Sequence, residues 1–498
     1  MHQVNIIRLN KTALAFCAGL FAVLGFAPFS LFPFSIFALA VLFVQWQHTH
    51  GVRAAARLGF TFGVGLFGAG IGWIYIALHD YGDMPFLLAM FATAVFAAFL
   101  ALFTALIGYI QARLHAPAWA RMAMVMPAIW VLLEWLRGLL FTGFPWLVLG
   151  YSQAAASPLA GYAPLLGVYG VSLAVVISAG LLALLWQARW SRQGQAAVAA
   201  LLVLWIAGAA LRAVEWTQAA GESFKVSLVQ GNIAQELKFR EEKLVDTLET
   251  YRKLVLQSDA RLIVLPETAL PVLRNEVPEN YAEILRSHVR KNGGDILIGA
   301  FERDHGQYYN SVFTLGTAES QSYRNNHLVP FGEFIPLRPA LGWFINEVLS
   351  IPMSDLARGG ITQPPLNVAG QKVAVNICYE DVFGEEIIRA LPEATLLVNV
   401  SNDAWYGNSH AAMQHNQISQ MRALETGRMM LRATNTGVTS IIGRDGYIRQ
   451  MLPQHEAGML TGQAQGYVGS TPYVRWGNAP VLGLLVLMLA AACGMRRR

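Results

Sequence analysis

Long apolar runs separated by short polar connections occupy the first 214 residues of the chain. The runs lie at about 11–28, 30–46, 57–78, 86–112, 120–140, 163–187 and 195–213, and an eighth lies at about 479–494. Because a bilayer-spanning helix needs roughly 20 apolar residues, this pattern predicts about eight transmembrane helices. The first two runs are separated only by residues 28–33 and could instead form one re-entrant pair; we favour two spans.

The segment between the seventh and eighth runs has a different pattern, in which short apolar stretches alternate with amphipathic ones. Stretches typical of strands lie at 226–229, 262–265, 295–300, 311–315, 373–377, 395–400 and 439–442. Amphipathic helices are predicted at 241–257, 279–291 and 414–432. Such alternation indicates a layered α/β core. We therefore predict a transmembrane domain over 1–214, one soluble α/β domain over 215–475, and a last helix with a basic tail over 476–498.

The composition agrees with a membrane protein that carries a soluble domain. Of 498 residues 55% are hydrophobic and only 13% are charged, and the mean hydropathy is +0.41. Soluble domains carry about 25% charged residues. No glycine-rich phosphate loop, dinucleotide-binding pattern or metal-ligand spacing is present, so no cofactor or metal is expected. The three cysteines, Cys17, Cys378 and Cys493, have no framework spacing and predict no disulfide.

The charges of the connections predict the orientation of the chain. Basic residues accompany alternate connections and both ends of the chain: Arg8, Lys11, Arg53, Arg57, Arg113, Arg121, Arg189, Arg192 and Arg496 to Arg498. The remaining connections are neutral or acidic. By the positive-inside rule both termini are cytoplasmic and residues 215–475 lie outside, in the periplasm of a Gram-negative cell. The pI of about 9.1 therefore reflects topology, and we expect no nucleic-acid binding.

Two features of the membrane part have both a functional and a structural interpretation. Glu134 and Arg137 lie near the outer end of the fifth predicted span, where ionisable residues are often functional. Their i,i+3 spacing also suits a simple ion pair, which we favour slightly. The segment 142–153 is either a broken helix or interfacial loop, or an aromatic belt.

The strongest candidate for chemistry is Cys378, the one cysteine outside an apolar run. It ends the predicted strand 373–377, and Tyr379 and Glu380 follow it directly. A thiol at a strand end is a common way to present a nucleophile, which then needs a base and an oxyanion donor. Glu267 follows the strand 262–265 in the same way, so the two could form a base–nucleophile pair. Taken singly, each residue is more often a core or capping residue.

Three segments, in order and spacing, resemble the nitrilase superfamily. They are Leu265-Pro266-Glu267-Thr268, His327-Leu328-Val329-Pro330-Phe331-Gly332-Glu333 and Ile377-Cys378-Tyr379-Glu380. With membrane spans on both sides, the whole chain resembles the apolipoprotein N-acyltransferase family, including the segments 143–146 and 151–153. Further matching segments are 229–232, 399–405 and 432–437. The resemblance implies an α/β/β/α sandwich between the spans, a Glu–Lys–Cys triad, and supporting roles for Glu333, Tyr379 and Glu380.

One position departs from the family pattern. The family's catalytic lysine falls two residues before the histidine of the 327–333 segment, and here that residue is Asn325. Arg324 is an unlikely substitute, because neighbouring side chains on a strand point to opposite faces. An amide brings no positive charge, so the Cys378 thiol should be harder to ionise. With no lysine between them, Glu267 and Glu333 should repel each other, which favours protonation of one of them.

The resemblance implies a two-step acyl transfer in the inner membrane. Cys378 would take an acyl chain from a phospholipid, with phosphatidylethanolamine the expected donor, and form a thioester. The α-amino group of an S-diacylglyceryl-cysteine apolipoprotein would then accept the chain. An apolar segment at 341–353 could be a lipid-facing arm that admits acyl chains, or could simply pack on the sandwich.

The sequence is also compatible with two other functions. A membrane-tethered carbon–nitrogen hydrolase would use the same triad and transfer the acyl group to water. A catalytically impaired lipid- or lipoprotein-binding variant is favoured only by Asn325, and the retained Cys378 and Glu267 weigh against it.

Overall fold

The computed structural model describes residues 10–188, 191–334 and 355–495. The predicted lipid-facing arm at 341–353 lies outside these described residues.

Every apolar run predicted from the sequence forms a helix. The N-terminal helices are α1 (Lys11–Ala22), α2 (Pro33–Gln47), α3 (Val52–Gly70), α4 (Ile74–His79), α5 (Phe86–Arg113), α6 (Ala118–Arg137), α7 (Ala163–Ala188) and α8 (Arg192–Leu211). Within the described residues, four helical stretches are long and apolar enough to cross a membrane: Phe86–Arg113, Ala118–Arg137, Pro158–Ala188 and Arg192–Leu211. Shorter apolar helices are Lys11–Gly25, Pro33–Gln47 and Ala479–Gly494.

Helix α3 packs closely on α5 through small residues. A Cβ atom added at Gly59 would collide with the backbone carbonyl of Thr104, and one added at Gly63 would collide with the Thr104 hydroxyl. Small residues let helices approach within backbone distance in membranes, where packing replaces the hydrophobic effect as the driving force. The run predicted over 57–78 is divided, because α3 ends at Gly70 and α4 starts at Ile74.

The soluble segment forms two sheets. The strands are β1 (Thr217–Gln230), β2 (Leu262–Val264), β3 (Leu270–Leu273), β4 (Asp295–Asp304), β5 (Gln307–Gly316), β6 (Ser322–Arg324), β7 (Leu366–Val368), β8 (Gln371–Ile377), β9 (Leu396–Ser401), β10 (Met430–Thr434), β11 (Ser440–Ile442), β12 (Ile448–Met451) and β13 (Gly458–Gly469). One sheet has the order β13-β1-β2-β4-β5-β6, with β3 beside β4, and the other has the order β12-β11-β10-β9-β8-β7. Strands β1, β2 and β4 run parallel, as do β8, β9 and β10.

The sheets face each other across an apolar core, and helices cover their outer faces. The shared core joins residues such as Val226 and Val264 of the first sheet to Val373 and Val398 of the second. The remaining helices are α9 (Gln235–Lys238), α10 (Glu241–Leu256), α11 (Glu279–Lys291), α12 (Gly384–Ile387), α13 (Ala411–Thr426), α14 (Pro472–Trp476) and α15 (Ala479–Gly494). Helices α10 and α11 pack on the first sheet, while α12 and α13 pack on the second. This is the α/β/β/α layering that the sequence resemblance implied.

One predicted element was wrong in extent. The helix expected over 414–432 ends at Thr426, and β10 follows from Met430. Gly427 takes the left-handed conformation (φ 63°) that ends a helix, and the chain then enters the sheet. The run was misread because α13 is almost entirely buried, so that no polar face marks where the helix stops.

Gln414 of α13 ties the soluble domain to the membrane helices. Its Oε1 accepts hydrogen bonds from the indole nitrogens of Trp73 (3.3 Å) and Trp146 (2.7 Å). Its Nε2 donates to the Gly70 carbonyl oxygen at 3.1 Å. The neighbouring Gln417 accepts from the Ala27 backbone N–H at 3.0 Å. One helix of the sandwich is therefore bonded to three separate segments of the membrane part.

The close approach of α3 and α5 can be tested with alanine. Gly59→Ala should lower the thermal stability of the purified protein, because the new methyl group forces the helix backbones apart; overpacking of this kind costs about 1–3 kcal/mol. Gly68 lies on the same helix with open space around it. Gly68→Ala is thus the matched control and should be neutral or slightly stabilising. Equal melting temperatures for the two variants would contradict the packing described.

Candidate active site

Cys378 occupies a sharp turn directly after β8. Its φ is +52°, a conformation that few non-glycine residues adopt and that is often found at functional sites. Its carbonyl oxygen accepts from Asn399 Nδ2 at 3.2 Å and lies 3.2 Å from His415 Nε2. The thiol is partly exposed. The backbone is thus held so that the sulfur projects from the end of the strand.

Glu267 lies where its carboxylate can act on that sulfur. It follows β2, is 9% exposed, and lies close enough to Cys378 for the two groups to shift each other's pKa. Its Oε1 accepts from Asn310 Nδ2 at 2.7 Å, and its Oε2 accepts from the Asn402 backbone N–H at 2.8 Å. These two donors fix the carboxylate beside the thiol. The base–nucleophile pair expected from the sequence is therefore adjacent in space.

Asn325 also lies in the site, but it faces the second carboxylate. Its Nδ2 donates to both oxygens of Glu333, at 3.1 and 3.2 Å, and its side chain is 1% exposed. Asn310 Nδ2 bridges the two acids, because it donates to Glu333 Oε1 at 3.2 Å as well as to Glu267. Within the part of the chain that is described, the Asn325 oxygen has no hydrogen-bond partner. Two neutral amides, with no charge of their own, therefore separate the carboxylates.

Arg324, next to Asn325, points away as the strand pattern predicts. Its guanidinium pairs with Glu302 at 2.9 Å and with Asp304 at 3.0 Å. It is thus engaged elsewhere and supplies no charge to the site.

Glu380 joins the Cys378 turn to the segment that contains Asn325. Its Oε2 accepts from the Ile377 N–H at 2.7 Å, and its Oε1 accepts from the Asn326 N–H at 2.7 Å. Tyr323 donates its hydroxyl to the same carboxylate at 3.0 Å. Burial raises the pKa of Glu380 to about 8, although these hydrogen bonds act in the opposite direction. Glu380 therefore positions the site and does not face the reacting groups.

Tyr379 connects the site to the membrane part. Its hydroxyl donates to the Gly143 carbonyl oxygen at 3.0 Å, and His327 Nε2 lies 2.9 Å from the Thr142 oxygen. The 142–153 segment, for which two interpretations were open, is a non-regular loop with short helical turns that abuts the site. Arg137 holds this loop by donating to the Phe144 and Trp146 carbonyl oxygens. The 142–153 loop of the helix bundle thus lies directly beside the segments that contain Tyr379 and His327.

The site strongly disfavours a second negative charge. Burial, followed by Glu267 and Asp403, raises the pKa of Cys378 well above its ordinary value. Burial also raises the pKa of Glu267. Burial and the charge of Glu267 raise the pKa of Glu333 to about 7, so that this acid is partly protonated at neutral pH. Desolvation and like charge therefore disfavour the Cys378 thiolate in the resting site.

A buried cluster behind the Cys378 turn was not found from the sequence. Arg432 pairs with Asp403 at 2.9 Å and with Asp381 at 3.3 Å, and His415 lies between the same two acids. Burial alone would raise the pKa of Asp403, but Arg432 and His415 hold it below its ordinary value. Segments 399–405 and 432–437 were recognised as matching the family, yet nothing in the residue types revealed that they meet through His415 of α13.

Lys238 is a second feature of the site that was not predicted from the sequence. It ends α9, is 2% exposed, and its Nζ donates to the Glu267 carbonyl oxygen at 3.1 Å. In the sequence it lies among charged residues that read as a solvated surface. Its position shortly after β1, at the same sheet edge as Glu267, was the one available signal. Among the described residues no group of three or more His, Cys, Asp or Glu is placed to hold a metal ion.

Comparison with known families divides the chain in the same way as the structure. Residues 18–181 match the model of the apolipoprotein N-acyltransferase N-terminal domain. Residues 225–473 match the model of the carbon-nitrogen hydrolase family.

Curated relatives match over nearly the whole length. An apolipoprotein N-acyltransferase from Nitrosomonas europaea is 53% identical over 96% of each chain. One from Chromobacterium violaceum is 45% identical over 97% of this chain and 93% of the relative. Among solved structures, a CN-hydrolase superfamily protein from Xanthomonas campestris is 16% identical and covers 53% of this chain and 97% of its own, with a TM-score of 0.38.

Proposed function

Since this chain belongs to the apolipoprotein N-acyltransferase family, we propose that it moves an acyl chain from a phospholipid to the N-terminal amine of a diacylglyceryl apolipoprotein. The single observation that supports this most is the placement of the Glu267–Cys378 pair against the 142–144 loop of the helix bundle. Tyr379, which follows Cys378 directly, and His327 bond to backbone oxygens of this loop, so the Cys378 turn lies on the side of the sandwich that meets the helices.

In the first proposed step, Cys378 becomes acylated. The Glu267 carboxylate takes the thiol proton, and the sulfur attacks the ester carbonyl carbon of the phospholipid. The tetrahedral intermediate collapses when the C–O bond breaks. The leaving alkoxide takes the proton from Glu267, which yields a lysophospholipid and a thioester on Cys378.

In the second step, the acceptor amine attacks the thioester carbonyl carbon. Glu267 takes the proton that the amine loses, the C–S bond breaks, and the thiolate recovers that proton. The product is an amide, and the enzyme returns to its starting state. A covalent intermediate divides one slow ester-to-amide exchange into two easier reactions.

The remaining residues of the site act by placement. Asn402 and Asn310 hold Glu267 in position, and Glu380 holds the Cys378 turn to the 325–327 segment. Glu333 is the acid nearest the place of the family's lysine, and it is bonded to Asn325 instead. With an amide at that position, the oxyanion of each intermediate loses one fixed cation, which should slow both steps.

We further propose that about eight helices span the inner membrane with the sandwich on the periplasmic side. The basic connections predict this orientation, and the exposed apolar side chains of α5 and α8 suit contact with lipid: Phe86, Leu87, Met90, Phe91, Leu202, Val203 and Ile206. Phosphatidylethanolamine is the proposed acyl donor.

The nucleophile is tested by intact-mass analysis of protein incubated with phospholipid. Cys378→Ser should abolish the acyl adduct, because no other described cysteine lies in the site. Cys17→Ala and Cys493→Ala should keep it. An acyl mass that persists on Cys378→Ser protein would exclude the proposed mechanism, and release of free fatty acid with no lipopeptide product would favour a hydrolase.

The role of position 325 is tested by restoring the charge. Asn325→Lys should raise the initial rate of N-acylation of a diacylglyceryl lipopeptide by about 10²–10³-fold, which is the order of effect of one oxyanion-stabilising group. Arg324→Lys should give no such gain, since that side chain is paired with Glu302 and Asp304. The prediction is wrong if the unmodified chain is already fast and Asn325→Lys changes nothing.

The orientation is tested with single cysteines introduced into a Cys17→Ala, Cys378→Ser, Cys493→Ala background. A membrane-impermeant maleimide should label Glu279→Cys in intact spheroplasts, because α11 is on the sandwich surface. Gln193→Cys, at the start of α8, should react only after the membrane is permeabilised. The opposite labelling pattern would invert the topology.

A further inference from the structure

Lys238 is a buried cation with no anionic side chain as a direct partner. Its side chain is 2% exposed, and its one hydrogen bond from Nζ goes to a backbone oxygen, that of Glu267. Within the described residues, no carboxylate oxygen lies within 4 Å of that nitrogen. Desolvating an ammonium group is costly, and buried lysines that persist without an ion pair are frequent at functional sites.

The groups that favour the charged form of Lys238 are the two that react. Burial lowers its pKa to about 8, and only Glu267 and Cys378 act in the opposite direction. Lys238 in turn is the group that most strongly lowers the pKa of Glu267 and so favours its ionised form. The positive charge and the base–nucleophile pair are therefore close enough to be coupled.

Hydrogen bonds fix the helix that carries Lys238 relative to Glu267. The short helix α9 is fixed by Gln235, whose Oε1 accepts from Asn402 Nδ2 at 2.8 Å. The Asn402 backbone N–H in turn donates to Glu267 at 2.8 Å. A single residue therefore fixes both the carboxylate and the helix that carries the lysine.

Lys238 and Asn325 follow strands that lie on opposite sides of β2 in the sheet order. Lys238 follows β1 and Asn325 follows β6, and β2, which precedes Glu267, lies between those strands in the sheet order. A cation at either place would balance the one negative charge that Glu267 and Cys378 share during proton transfer. Asn325, after β6, is a neutral amide bonded to Glu333, whereas Lys238, after β1, carries an ammonium group.

We propose that Lys238 is a positioning residue that supplies the positive charge for the Glu267–Cys378 pair, in place of a charge at position 325. It holds Glu267 through the carbonyl oxygen and stabilises the negative charge as it moves from carboxylate to sulfur. This inference rests on the proposed role of Cys378 as the nucleophile. It makes no claim about the acyl donor or the acceptor.

The test measures the nucleophile without any lipid substrate. In full-length protein with Cys17→Ala and Cys493→Ala, Cys378 is the sole thiol, and its rate of alkylation by iodoacetamide is followed against pH. Lys238→Gln keeps a hydrogen-bond donor and removes the charge, so alkylation at pH 8 should slow by about 10–100-fold, a shift of one to two pH units in the profile. Lys238→Arg keeps the charge and should stay within about threefold of the parent.

Rescue separates an electrostatic role from a structural one. Adding Asn325→Lys to Lys238→Gln should restore most of the lost alkylation rate, because a cation returns on the other side of Glu267. Lys243→Gln, which removes an exposed lysine paired with Asp246, should match the parent. An unchanged profile in Lys238→Gln, an equal loss in Lys238→Arg, or no rescue by Asn325→Lys would each overturn the proposal.

The same proteins separate this inference from the proposed function. If alkylation depends on Lys238 but the parent forms no lipopeptide product from phospholipid, the proposed acyl transfer fails and the role of Lys238 stands. If lipopeptide is formed at the same rate with Lys238→Gln as with the parent, the role of Lys238 fails and the acyl transfer stands.

Discussion

The site depends on the desolvation of a carboxylate and a thiol that lie close together. Glu267 and Cys378 lie at the ends of strands in different sheets, so that the pair exists only when the two sheets pack correctly. Burial raises the pKa of both groups, and the neighbouring hydrogen-bond donors partly reverse that effect. The other polar groups of the site can be understood as responses to this one constraint: Asn310 and Asn402 direct the carboxylate, Glu380 locks the turn, and Lys238 is the cation that we propose supplies the charge.

Sequence reasoning succeeded where a pattern is repeated along the chain. Apolar runs predicted where helices form in the N-terminal part, and alternating short runs predicted a layered α/β core, because both depend on local periodicity. The two-sheet sandwich was implied by the family resemblance. Glu267 and Cys378 were identifiable because each follows a strand directly. The end of α13 was misplaced because burial on all sides removes the amphipathic signal. The His415–Arg432 cluster and Lys238 could not be predicted, since their roles arise from contacts between residues far apart in the chain.

Asn325 fits its buried position in the site through hydrogen bonds to a single acid. Its amide satisfies both oxygens of Glu333, and Glu333 in turn accepts from the Val329 N–H at 2.8 Å. The local geometry is therefore self-consistent. Burial and Glu267 favour the protonated form of Glu333, and a neutral acid needs no cation beside it.

The attachment of α13 to the bundle has a consequence for the order of events on the proposed route. Gln414 binds two tryptophans and a helix terminus at once, so any movement of the sandwich away from the helices would have to break all three hydrogen bonds. If these bonds persist through the reaction, donor and acceptor react at Cys378 one after the other, with the sandwich in the same position on the helices. Lysophospholipid has to diffuse away in the leaflet before a lipoprotein can enter, and turnover would become sensitive to the lateral fluidity of the membrane.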